Sequence, residues 1–80
     1  MKLPVLSAEE LIRILKKLGF EEIRQKGSHK YLKHRDGRAT VVPVHPGRDI
    51  GRGLLRKILS EIEIDREEFL KYIWDNKDRL

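Results

Sequence analysis

Apolar residues return at helical spacing near the start of the chain. Leu11, Ile12, Leu15 and Leu18 share one side, with Arg13, Lys16 and Lys17 on the other. Ser7 precedes the run as a good N-cap, and Glu10 three residues later completes a capping box. Gly19 supplies the stop, so the pattern predicts a helix from about Ala8 to Leu18. The pattern then turns β-prone. Phe20–Lys26 and Ser28–His34 are separated by Gly27, and Asp36-Gly37 precedes a third run, Ala39–Val44. An Asp-Gly pair between two such runs is a hairpin signal. Gly27 suits a tight turn or bulge where φ is positive, and Pro43 puts the third strand at an edge or at a strand end.

These runs predict a three-stranded antiparallel meander. Residues 45–53 (HPGRDIGRG) read as a loop. Leu54, Leu55, Ile58, Leu59 and Ile62 then mark a second amphipathic helix. Asp65 is expected to cap a short third helix, with Phe69, Leu70 and Ile73 facing inward. The order is α-β-β-β-α with a short extra C-terminal helix, an α+β chain. Two helices can cover one face of the sheet and leave the other to solvent. No repeat or linker interrupts the chain, which is expected to form one domain over residues 1–80, with its core at about 7–62 and a helical extension at about 65–80.

Size and charge narrow the picture. A chain of 80 residues buries only about 60–65% of the surface it exposes when unfolded, so its core must be compact. With no cysteine, neither disulfides nor thiolate metal sites brace it. That fits a cytoplasmic location. No apolar run approaches the roughly 18 residues of a membrane span, and a soluble, unprocessed protein is expected. The net charge is +5, concentrated in the middle: ten basic residues lie between Arg24 and Lys57 against only Asp36 and Asp49. A basic stretch of this density in a small domain is the footprint of a polyanion partner, nucleic acid above all.

Within that stretch stands the triplet Gly27-Ser28-His29. Strand alternation puts His29, Tyr31 and Lys33 on one face and Lys30, Leu32 and His34 on the other. Leu32 demands burial most strongly, so His29 is expected to point outward; a satisfied core histidine is the alternative. A metal site is poorly supported. His29 and His34 are five residues apart, and the carboxylates that zinc or magnesium chemistry would need are missing from the neighbourhood apart from Asp36 in the turn. Nor can His29 readily activate Ser28, because neighbouring strand residues point apart. General acid–base catalysis remains. RNA carries its own nucleophile in the 2′-hydroxyl, so its cleavage needs a proton carrier active near neutrality and positive groups around the developing phosphorane charge. Lys26, Lys30, Lys33 and Arg48 are candidates for the second role, and Ser28 could donate a hydrogen bond to phosphate.

The runs RQKGSHKYL (24–32), VVPVHPGRDI (41–50) and GLLRKIL (53–59), behind the N-terminal helix, resemble the HicA toxin family of bacterial and archaeal toxin–antitoxin systems. The resemblance covers about Ser7 to Ile62. It implies a double-stranded-RNA-binding-domain-like fold acting as an mRNA interferase, with His29 as the essential histidine; from the residues themselves, no cofactor is expected. It also implies a HicB-type antitoxin that binds the toxin and covers the active region, giving a hetero-oligomer. The histidine of the family's His-Pro motif matches His45, whose simpler role is to shape the loop with Pro46 and Gly47. The family usually has threonine after the glycine that opens the last helix; here Leu54 follows Gly53. Two other readings stand beside this one: a non-catalytic RNA-binding module of the same fold, and a protein-interaction domain using the acidic C-terminal helix and Trp74.

Overall fold

A computed structural model describes the backbone of residues 3–78 and the side chains of residues 3–73. Trp74, read from sequence as either a cap on the core or an interface anchor, lies outside the described side chains. The elements run β1 (Leu6–Ser7), α1 (Ala8–Lys17), β2 (Phe20–Lys26), β3 (His29–His34), β4 (Ala39–Pro43), β5 (Asp49–Ile50), α2 (Arg52–Ile62) and α3 (Arg66–Asp78). Strands β2, β3 and β4 form the antiparallel meander in that order, and β1 pairs with β5 in a separate two-stranded ladder. The fold is α+β, with the α-β-β-β-α order of a double-stranded-RNA-binding-domain-like architecture.

The predicted helix signals act as expected. Glu10 N–H donates to the Ser7 hydroxyl and Ser7 N–H to the Glu10 carboxylate, both at 3.1 Å, so the capping box is complete. Asp65 caps α3 by accepting the Glu68 N–H at 2.8 Å. Gly19 ends α1 at φ +100°, and a side chain there would also collide with the His34 ring, its Cβ lying 2.8 Å from Nε2. Both α1 and α2 pack on the same side of the meander. Leu11, Ile14, Leu15, Leu55, Ile58 and Ile62 meet Phe20, Leu32 and Val42 in one buried cluster, which Phe69 and Ile73 of α3 join. Thr40 is the buried polar residue among them; its hydroxyl donates to the Glu61 carboxylate at 2.7 Å. The outer face of the sheet remains open.

Three features depart from the sequence reading. Residues 49–50 are strand, not loop: Ile50 pairs with Leu6 and is buried, anchoring the chain before α2. Helix α2 begins at Arg52, with Gly51 as an N-cap that offers no side chain. Gly53 therefore lies inside the first turn, and the Leu54 position is not the cap. The β3–β4 hairpin, by contrast, falls at Asp36-Gly37 as that pair predicts, its turn closed by Gly37 N–H to His34 O at 2.9 Å and His34 N–H to Arg38 O at 2.8 Å. Finally, α3 is 13 residues long, against 11 for α2, so the extra helix is not short.

Candidate active site

The turn that presents His29 is two residues long. Lys26 and His29 pair across the ladder, leaving Gly27 and Ser28 as the connection. Gly27 has φ +59° and Ser28 does not share that sign, the pattern of a hairpin turn with glycine at its first central position. Ser28 is half-buried, and its carbonyl accepts the Val44 N–H at 2.6 Å. That bond ties the start of the His45–Arg48 loop to the same end of the sheet. Within this loop Arg48 N–H donates to His45 O at 3.0 Å; both side chains are exposed.

His29 is exposed, as the alternation predicts. Among the described residues no group hydrogen-bonds to its ring, so both nitrogens are open to a ligand. His34 is different in kind. Its ring packs edge-on against Phe20, with centroids 5.2 Å apart. Its Nδ1 lies 3.1 Å from both the backbone nitrogen and the carboxylate of Asp36. The Arg38 backbone N–H, donated to that carboxylate, holds the Asp36 pKa below its usual value, and the Arg38 guanidinium adds to the effect. His34 is a structural residue of the hairpin.

Register sets what surrounds His29. Glu22 pairs with Leu32, but Arg24, not Ile23, pairs with Tyr31, so β2 carries a one-residue bulge at Ile23. Without it, Arg24 and Lys26 would point to the core face. With it, the open face becomes three cross-strand rows: Lys26, His29 and Pro43; then Arg24, Tyr31 and Val41; then Glu21, Lys33 and Ala39. Positive charge gathers at the His29 end, whereas Lys33 stands opposite Glu21. The Arg24 guanidinium lies over the Tyr31 ring, 4.3 Å from its centroid.

The expected phosphate-binding set is thus brought together in part. Lys26 lies directly across from His29, Lys33 is two rows along the same face, and Ser28 forms the turn beside it. Lys30 is not part of this group. It points to the helix side, pairs with Glu22 at 3.4 Å and rims a shallow cleft with Arg13 and Lys16 of α1. Two further members of the basic stretch also hold the fold together: Arg38 donates to Ile62 O and Arg52 to Leu3 O, each at 2.6 Å. Sequence reasoning put Tyr31 on the His29 face, as the structure has it, but missed Arg24 as their neighbour. A signal was present, because an unbroken alternation from Phe20 would have aimed Glu22, Arg24 and Lys26 all at the core.

Among the described residues no three His, Asp or Glu side chains converge as a metal site, and no helix is long and apolar enough to cross a membrane. A search of the curated proteins found no match to the chain. The family comparison does match: residues 8–64, well over half of the chain, fit the HicA toxin of bacterial toxin–antitoxin systems. The match takes in α1, the whole meander, the His29 turn and α2, and on that evidence the chain belongs to the HicA toxin family.

Proposed function

We propose that this HicA-family toxin is a metal-independent endoribonuclease that cleaves mRNA, with His29 as its acid–base group. The observation that carries the reading is the placement of His29: exposed, without a hydrogen bond among the described residues, and directly opposite Lys26 on an open sheet face. In the reaction His29 takes the proton of a 2′-hydroxyl, and that oxygen attacks the adjoining phosphorus. The bond from phosphorus to the 5′-oxygen breaks, and the leaving oxygen takes a proton from the imidazolium or from water. Lys26 stands where it can stabilise the phosphorane charge. Ser28, Lys33 and Arg48 are assigned to the flanking phosphates. Lys30 is left out, since Glu22 holds it on the other face.

An open active face also calls for control, and a HicB-type antitoxin that covers it is the corresponding partner. An mRNA substrate places the toxin in the cytoplasm. The test is to incubate the purified protein with RNA in EDTA and to analyse the fragment ends. A 2′,3′-cyclic phosphate and a 5′-hydroxyl are expected, with no cutting of DNA. A strict need for Mg²⁺, or 5′-phosphate ends, would show a hydrolytic metal mechanism instead. Intact RNA that stays bound would leave a non-catalytic RNA-binding module.

A further inference from the structure

The middle row of the open face has no part in the acid–base chemistry, yet it is built in an unusual way. Tyr31 stands two residues from His29 on the same strand face, about 7 Å along the strand. Arg24 lies over its ring at 4.3 Å, and Val41 borders it on the other side. Among the described residues no carboxylate pairs with Arg24, which leaves its guanidinium free for an anion or a base from solvent. The bulge at Ile23 puts Arg24 on this face, and leaves Ile23 itself exposed. Bulges that re-aim side chains recur beside active sites.

We propose that the Arg24–Tyr31 pair is a stacking platform for one unpaired nucleobase next to the phosphate on which His29 acts. This rests on the RNA-cleaving reading of the same face. A planar guanidinium on an aromatic ring offers a base a flat, cationic surface, and such surfaces are how proteins hold splayed-out bases of single-stranded RNA. The spacing between Tyr31 and His29 is about the reach of one extended nucleotide. A duplex cannot use the platform, because both faces of each base are already covered by its neighbours. The substrate class that follows is single-stranded or looped RNA, although the fold is of the double-stranded-RNA-binding type.

The experiment uses the full chain and single-stranded RNA that is 2′-O-methylated throughout, which lacks the nucleophile and cannot be cut. 2-Aminopurine is placed at each position in turn, and both its fluorescence and the affinity are read at several salt concentrations. Wild-type protein should quench the probe at one position and give no such quenching with the same strand in a duplex. Tyr31→Leu should lose the quenching and bind about 5- to 150-fold more weakly, with an unchanged salt slope. Tyr31→Phe, which keeps the ring, should behave like wild type. Arg24→Lys, which keeps the charge but not the plane, should lose much of the quenching, and Lys71→Gln should change neither reading.

Thermal unfolding of each variant separates a lost platform from a lost fold. The proposal is overturned if Tyr31→Leu quenches and binds as wild type does, if Tyr31→Phe fails as badly as Tyr31→Leu, or if the wild-type protein binds no RNA. A wild-type protein that quenches this probe yet leaves unmethylated RNA intact would sink the cleavage reading and leave the platform standing.

Discussion

Lys26 and Lys30 are four residues apart in one basic run, and the meander sends them to opposite sides. Lys26 faces the open surface across from His29; Lys30 turns to the helices and meets Glu22. On the proposed reading, only the first is placed to neutralise a phosphate beside His29. Lys26→Gln should therefore weaken RNA binding and flatten the dependence of log affinity on log salt by about 0.7, the value of one phosphate contact on a single strand. Lys30→Gln should leave that slope unchanged. Titrations of both variants at several salt concentrations check this, and equal slopes for the two would mean that the faces are wrongly assigned. The residue scale also shows why the net charge overstates the binding surface. Arg38 and Arg52 donate to main-chain carbonyls, so part of the basic middle holds the fold.

Most of the elements were legible because their signals are local. Ser7 with Glu10, Asp65 with Glu68, and Gly27 between two β-prone runs each act within three residues of themselves. The parts that stayed hidden depend on distant partners or lack a glycine to mark them. The strand at residues 49–50 exists only because Leu6–Ser7, more than forty residues earlier, pairs with it. The bulge in β2 has no glycine to announce it, and the outward aim of Arg24 and Lys26 depends on it. The end of α2 is also unmarked: Glu63 takes a left-handed conformation, φ 57° and ψ 44°, while Ile64 N–H reaches back to Leu59 O. A residue with a Cβ is strained there by about 1–2 kcal/mol, and glycine is not. Glu63→Gly should thus stabilise the protein by about 1 kcal/mol net of the entropy glycine loses on folding. In a domain of this size that raises the melting midpoint by about 4–8 °C. A midpoint that falls instead would mean that the Glu63 side chain does more than the backbone geometry indicates.

For the whole molecule, two helices on one side of a three-stranded sheet bury the core and leave the other side open. If the proposed chemistry acts on that open side, stability and activity are separable. Leu15 of α1 and Ile58 of α2 are fully buried in the shared cluster. Leu15→Ala or Ile58→Ala should cost about 2–5 kcal/mol, a large part of what holds so small a domain together. Calorimetry should show a much lower midpoint or no cooperative transition. Melting like the parent would contradict the packing.

The most direct test of the central claim is the rate at which His29→Ala cuts single-stranded RNA in EDTA, read beside its melting midpoint and its affinity for an uncuttable RNA. His29 is exposed and makes no hydrogen bond among the described residues, so the fold should be unaffected to within about 0.5 kcal/mol. Binding should largely survive on Lys26 and the rest of the open face. Turnover should fall by about 10²–10⁴-fold, the contribution of a positioned proton carrier. A variant that folds, binds and still cleaves at the wild-type rate would contradict the account.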